Sequence, residues 1–396
     1  MFVERQVPQT LAAGGRSQAE SDSLQAVSAL NPDLEGGLTT SLGKFYSSLR
    51  TLSQNPGDMA LRQAVVISSQ NLARSFGQTA NSIEDARNGI DAKLNGDLDL
   101  INTAASSLAD LNARIQNAHA LGGKANDLED QRRTAADTLS RLTGGSTYTN
   151  EQGDLMFALP GGTALVSGAS AGRMSAVPDP ANAGHFKVRV AKSDGSLAGD
   201  VPVSSLGGEV GGLLDARDGT LKTALNQIDG FAFDLATAMN TIHSAGYAMD
   251  GTTGRPLFTI PVSSSGAASQ ITVNAAISAD ATLLAAATTL PSATGDNRNI
   301  LAMMTTETQV LAGGNNPVAT LQKITGDFGA SASRAQAMSQ HDSAMVNHIN
   351  QLRESTAGVS LDEEMINLTK AQKAYEAVSK VIGTADQMLD TLLKLR

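Results

Sequence analysis

The feature that most constrains the fold is a helical apolar repeat through residues 61–115, which no proline interrupts. Its apolar residues recur in steps built from threes and fours, the spacing of one face of an α-helix. They are Leu61, Val65, Leu72, Phe76, Ile83, Ile90, Leu94, Leu98, Ile101, Ala105, Leu108 and Ile115. About 60 helical residues span roughly 90 Å, far more than a typical globular helix. The repeat therefore predicts a rod of packed helices, and breaks at Gly77, Gly89 or Gly96 are the alternative to one continuous helix.

Shorter helical patterns flank this repeat. The apolar spacing predicts helices over residues 17–30, 38–54, 126–142, 210–245, 297–312 and 317–353. Asp58 is predicted to cap the long helix, and Asn126 or Asp127 the helix that returns from it. Gly246 is predicted as a C-terminal cap.

The composition changes between Gly144 and Gly208, where Gly, Ser, Thr and Pro become frequent. Short alternating segments at 154–159, 163–166 and 185–190 predict strands of a small antiparallel domain. A second loop-rich segment contains one more strand candidate at 271–275.

These patterns predict a mainly α protein with a β-rich insert: an elongated bundle of long helices, a small antiparallel β domain and a terminal helix of the coiled-coil type. The expected boundaries are residues 1–145 for the first part of the helical rod domain, 146–208 for the β-rich outer domain, 209–246 for a helix returning to the rod, 247–294 for an outer β and loop segment, 295–353 for the last part of the rod, and 354–396 for the terminal helix.

The terminal helix carries the most regular apolar seam in the chain. Alternating steps of three and four residues connect Leu368, Ala371, Tyr375, Val378, Ile382, Ala385, Leu389 and Leu392, and we include Leu361 upstream of them. A seam with this spacing is typical of a helix that packs against another helix. We therefore predict that these residues form an assembly surface.

Composition and charge exclude several functions. The chain has no cysteine, which excludes disulfide scaffolds, thiol catalysis and cysteine-ligated metal sites. A formal net charge of −10 argues against a nucleic-acid partner, and no apolar run is long enough to insert in a membrane. The first ten residues lack the basic and apolar regions of a cleavable signal peptide.

Three motifs resemble catalytic or metal sites, and each has a simpler interpretation. The GASAG sequence around Ser170 matches a nucleophile elbow, but the residues after it are not helical in pattern, so a turn between strands is favoured. Residues 91–102 resemble a calcium loop with Lys93 and Asn102 at ligand positions, so an exposed helix face is favoured. All five histidines are interpreted as surface or boundary residues, and no catalytic residue, cofactor or metal site is predicted.

The stretch 358–395 resembles the C-terminal segment shared by bacterial flagellar axial proteins, through Leu361, Asp362, Glu363, Glu364, Asn367, Leu368, Gln372, Ala374, Tyr375, Asp386 and Leu389. The interior motifs NDLEDQR (126–132), GGLLDARD (211–218), HSAGY (243–247) and GDNRN (295–299) are similar in order and spacing to the FlgK family of hook-associated proteins. Members of that family carry a helical segment before the stretch that resembles FVERQ here, and longer members carry an extra outer domain for which residues 247–294 leave little room.

The resemblance implies a flagellin-like rod domain and a structural role at the junction between hook and filament. It implies as partners the hook protein, the second hook-associated protein, further copies of the chain in a ring, and a flagellar export chaperone that covers the seam before export. It also implies an extracellular location in the flagellum, reached without a cleaved signal peptide.

Two other functions stay open at this stage, and a third is nearly excluded. A hook or rod subunit of the same axial family would share the C-terminal segment. A cytoplasmic coiled-coil adapter would suit helices rich in Ala, Ser and Thr, although the β-rich insert argues against it. A hydrolase built on Ser170 is disfavoured because the helix that its elbow requires is missing from the pattern.

Overall fold

The computed structural model describes residues 2–27, 30, 37–151, 153–192, 194, 196–202, 205–290, 295–357 and 361–394. The chain divides into two compact units. The larger is Val7–Val346, and the smaller combines Met1–Gln6 with Asn347–Arg396.

The first four helices are α1 (Phe2–Gln25), α2 (Leu38–Gln54), α3 (Met59–Ala120) and α4 (Asn126–Thr143). The long repeat is one continuous helix of 62 residues, about 93 Å at ~1.5 Å per residue. The side chain of Asp58 accepts hydrogen bonds from the backbone N–H groups of Ala60 and Leu61, as predicted. The helix continues through Gly77, Gly89 and Gly96, so none of these glycines breaks it.

Two predictions at the helix ends were wrong, and one was confirmed. Helix α1 begins at Phe2 rather than at residue 17. Tertiary packing of Gly15 against the Arg141 carbonyl favours helix where the local pattern does not. Of the predicted span 17–30, residues 28 and 29 lie outside the described part of the chain. The cap of α4 is the backbone of Ala125, and no side chain bonds there. Gly246 is a C-terminal cap, as predicted; it is extended, and its N–H donates to the His243 carbonyl.

The later helices are α5 (Gly208–Leu214), α6 (Lys222–Ala245), α7 (Ala267–Gln270), α8 (Ala275–Ala279), α9 (Arg298–Thr305), α10 (Pro317–Ala357) and α11 (Leu361–Lys394), with a π-helical segment at Asp215–Leu221 between α5 and α6. Helix α9 is shorter than the predicted 297–312. The buried Thr306 hydroxyl donates to the Met303 carbonyl at 2.6 Å, and this side-chain bond competes with continuation of the helix.

Strands form in all four segments predicted as strands, and the described part of the chain has five further strands that the patterns did not predict. One antiparallel sheet has the order β1 (Ser146–Thr149), β2 (Leu155–Ala158), β3 (Ala164–Ser167), β4 (Ser170–Ala171), and a second has the order β5 (Arg173–Pro178), β6 (Phe186–Ala191), β7 (Leu197–Asp200). A short pair joins β8 (Phe258–Thr259) to β9 (Thr272–Val273). Gly172 links the two larger sheets, and an added Cβ there would lie 2.5 Å from the Ala191 carbonyl oxygen.

Polar side chains of α3 attach the sheets to the helical body. Asn102 donates to the carbonyl of Met174 at 2.9 Å and accepts from its N–H at 2.8 Å. The fully buried Asn112 donates to the carbonyls of Leu155 and Gly168 at 2.9 and 2.8 Å. These side-chain amides bond to backbone groups of the strands in place of a neighbouring strand, so the sheets lie along the long helix.

The interpretation of residues 91–102 as an exposed helix face holds for Asn95, Gly96 and Asp99, but it was wrong for other polar residues of the stretch. Asp91 and Asp97 are buried, and Asn102 bonds to β5. The pattern missed this because α3 is covered by the β-rich insert as well as by helices, so its polar positions face protein.

Two histidines were also misassigned as surface or boundary residues. His185 and His243 are almost fully buried. The Nδ1 atom of His243 lies 2.7 Å from the Arg255 carbonyl, and its Nε2 atom accepts from the Ala285 N–H at 2.9 Å. Burial lowers the pKa of His243 to about 4, which keeps the ring neutral and able to accept this bond.

Asp97 is a buried carboxylate, and its Oδ2 atom has no hydrogen-bond partner in the described part of the chain. Burial, with a contribution from Glu209, raises the pKa of Asp97 to about 6, and Lys93 and Arg141 offset part of this rise. The charged form is therefore less stable in the folded protein than in the unfolded chain.

We expect Asp97→Asn to raise the free energy of unfolding by about 1–3 kcal/mol at pH 8. The folded pKa of Asp97 lies above its unfolded value, so the wild type loses stability as the pH rises from about 4 to about 6, whereas the amide does not titrate. Urea unfolding at pH 4 and pH 8 tests this. A stabilisation of equal size at both pH values would contradict it.

Candidate assembly surface

Helix α11 presents an apolar face to solvent. Five large seam residues, Leu368, Tyr375, Val378, Ile382 and Leu389, are between 58% and 76% exposed. Ala371 and Ala385 are exposed as well. The backbones of Leu361 and Leu392 belong to the helix, but their side chains lie outside the described residues. The residues predicted as a seam thus share one helix, and those with described side chains are uncovered.

The apolar face is wider than the predicted seam. Val381 and Met388 are also more than half exposed, and each directly precedes a seam residue. The sequence does indicate this wider face, because apolar pairs recur every seven residues, at 374–375, 381–382 and 388–389. A stripe of three positions per heptad suits contact with more than one neighbouring helix.

An uncovered face of this extent indicates a binding surface. Contiguous exposed apolar patches on soluble proteins mark interaction sites, and isolated helices gain most of their stability from packing. Full burial of one large apolar side chain contributes about 1.5–3 kcal/mol. Covering the face of α11 therefore supplies ample free energy for association.

The smaller unit also contains an ion pair between the end of α10 and the start of α1. Arg353 donates from Nη2 to Glu4 Oε2 at 3.0 Å and from Nε to Glu4 Oε1 at 3.2 Å. The two-point contact fixes the relative rotation of these segments.

The four interior motifs supply structural contacts. In 126–132, Arg132 donates to Asn112 at 3.2 Å and supports the amide that holds β2. In 211–218, Gly212 packs against the backbone of Arg16 at a distance that excludes a side chain. In 243–247, Gly246 packs closely against the side-chain amide of Asn299 in the 295–299 motif. Asn299 in turn donates to the Ala285 carbonyl at 2.8 Å.

The residues that resembled catalytic groups are not assembled into a site. Ser170 lies on the two-residue strand β4 and is followed by strand β5, where a nucleophile elbow requires a helix. Within the described ranges, no three His, Asp or Glu side chains are placed to hold a metal ion. In the same residues, no helix has both the length and the apolar character needed to cross a membrane.

Comparison with protein families gives two matches. The family described as "Flagellar hook-associated protein FlgK helical domain" matches residues 24–258. The family described as "Flagellar basal body rod FlgEFG protein C-terminal" matches residues 351–395, which include α11.

Relatives match over nearly the whole chain. Flagellar hook-associated protein 1 of Salmonella typhimurium is 25% identical, with 95% of this chain and 84% of the relative covered. Flagellar hook-associated protein 1 of Bacillus subtilis is 26% identical, with 93% and 78% covered. The solved flagellar hook junction protein FlgK of Burkholderia pseudomallei has the same fold, with a TM-score of 0.80 at 17% identity over 90% of this chain and 100% of that one.

Proposed function

Because the chain belongs to the FlgK family of flagellar hook-associated proteins, and is therefore a structural component of the bacterial flagellum, we propose that it forms the junction between hook and filament. The observation that carries the proposal is the uncovered apolar face of α11 on a chain whose body matches the FlgK helical domain. Such a face is suited to stacking against helices of neighbouring subunits.

The proposed partners follow from this position. The hook protein lies on one side of the junction, the second hook-associated protein on the other, and copies of this chain complete a ring. Before export, a flagellar chaperone covers the face of α11, since an exposed apolar stripe favours self-association. The chain then reaches the exterior through the flagellar export apparatus, and it acts by assembly rather than by catalysis.

A hook or rod subunit is the second candidate. The match to the rod-protein family at 351–395 supports it, because that segment is shared across axial proteins. The match at 24–258 favours the junction, since it covers the body of the chain rather than the shared end.

Deleting the gene tests the choice between these positions. A junction protein is needed only after the hook is complete, so we expect cells with hooks of normal length, no attached filament, and filament protein released into the medium. Electron microscopy of purified basal bodies and blotting of the medium measure both. Cells without hooks would identify a rod or hook subunit instead, and cells with attached filaments would contradict both positions.

A further inference from the structure

His185 joins the second sheet of the β-rich insert to the long helix α3. It immediately precedes β6, and it is only 4% exposed. Its Nδ1 atom lies 2.6 Å from Asp91 Oδ2, and its Nε2 atom lies 2.9 Å from Glu84 Oε1. These two acids are seven residues apart on α3, so they share one face of the helix and hold the ring between them.

The ring can donate to both acids only when it carries a proton on each nitrogen. An ionised carboxylate has no hydrogen to donate, and a neutral imidazole has one N–H group and one bare nitrogen, so a neutral ring would point a lone pair at an acid. Asp91 already accepts from Nη1 of Arg217. Glu84 already accepts from Nη1 of Arg87 at 2.8 Å. The additional proton therefore belongs on the ring, which makes His185 a cation.

The charges of the surrounding cluster favour the same assignment. Its described acids and bases come from α3, the π-helical segment and α6, and they are Glu84, Arg87, Asp91, Arg217, Asp218, Lys222 and Asp229. Four of these are acids and three are bases, so a proton on His185 brings the cluster to neutrality. Without that proton, this partly buried cluster would keep one excess negative charge, which is costly away from water.

The other bonds from α3 to the sheets described above come from side-chain amides. Asn102 holds Met174 in the second sheet, and Asn112 holds Leu155 in the first. Amides do not ionise between pH 5 and pH 9, so these bonds do not respond to pH in that range. The charge of His185 therefore acts on the second sheet, β5–β7, while the first sheet, β1–β4, keeps its attachment.

We propose that His185 is a proton-dependent latch that fastens the hairpin β5–β6 to α3. With a proton on each nitrogen, the ring bridges Glu84 and Asp91. When one proton leaves, a bare nitrogen faces a carboxylate and the cluster gains an excess negative charge, so the attraction between hairpin and helix weakens. The attachment is therefore strongest while the ring is charged, and it weakens as the pH rises. The β-rich insert thereby responds to the acidity of its surroundings.

NMR of the full chain with 15N-labelled histidine, combined with amide hydrogen exchange between pH 5 and pH 9, tests the latch. The nitrogen shifts report the charge of the ring, and each exchange rate is divided by the intrinsic rate at the same pH. We expect protection of residues 173–191 to fall at least about tenfold, with the same midpoint as the loss of charge on His185, and protection of residues 155–171 to stay constant. Equal falls in both sheets, a ring that does not change charge in this range, or a change of charge without a change in exchange would each overturn the proposal.

Two variants assign the effect to this ring. His185→Gln places a side chain there that does not titrate, so we expect exchange in residues 173–191 to be fast at every pH in the range. Glu84→Gln leaves one acid beside the ring, and we expect the midpoints of charge and of exchange to move together to lower pH. The control His119→Gln alters an exposed histidine beside Glu129 and should leave both midpoints unchanged. Unmoved midpoints in Glu84→Gln, or shifted ones in His119→Gln, would overturn the proposal even if His185→Gln fails to fold.

Discussion

Replacing Gly212 with alanine is expected to lower the free energy of unfolding by about 2–4 kcal/mol. A Cβ atom at this position would overlap the backbone carbonyl of Arg16, and the neighbouring Gly15 packs equally closely on the Arg141 carbonyl. Backbone cannot rotate away as a flexible side chain can, so α1 and α5 must separate. The gain in helix propensity from glycine to alanine, about 1 kcal/mol, is too small to offset this overlap.

Gly230→Ala is the matched control, because Gly230 lies in α6 of the same helical run and an added methyl there meets nothing within 4 Å. We expect this variant to be as stable as the wild type or up to about 1 kcal/mol more stable. Urea unfolding followed by circular dichroism compares the two. Equal effects at both positions would show that the contact between α1 and α5 is looser than described.

Much of the helical architecture could be predicted because it depends on local periodicity. The span of α2 agrees with the predicted 38–54, and α3 follows the apolar repeat and its Asp58 cap. The predicted domain boundaries stay predictions. The start of α1 and the π segment could not be predicted, since both are fixed by close backbone packing and buried charges between residues more than 100 positions apart.

The candidate assembly surface was predictable in part for the same reason. A heptad seam on α11 is a local pattern, and the described seam residues do share one exposed face. The glycines and amides of the interior motifs were visible only as motifs, because their partners, such as Met174 for Asn102, lie far away in the chain. Their contacts join elements that are distant in the chain, as structural residues do.

The double variant Ile382→Asp and Leu389→Asp is expected to abolish both filament attachment and binding of the export chaperone. Each aspartate would place an unpaired charge in the interface, and burying an ionised carboxylate without a partner costs several kcal/mol. Two such charges lower an association constant by at least about a thousandfold. Electron microscopy of complemented deletion cells measures attachment, and calorimetry with the purified chaperone measures affinity.

The control Thr384→Asp and Gln387→Asp introduces the same two charges on the polar face of α11, where the apolar stripe does not extend. It changes net charge and helix propensity to a similar extent, so normal attachment in the control assigns the defect to the apolar face. Unchanged chaperone affinity and filaments in the Ile382 and Leu389 variant would remove this face from the mechanism. Because the side chains of Ile382 and Leu389 are exposed, the urea midpoint of the larger unit should stay at the wild-type value in this variant. A lowered midpoint would show instead that α11 stabilises the folded body.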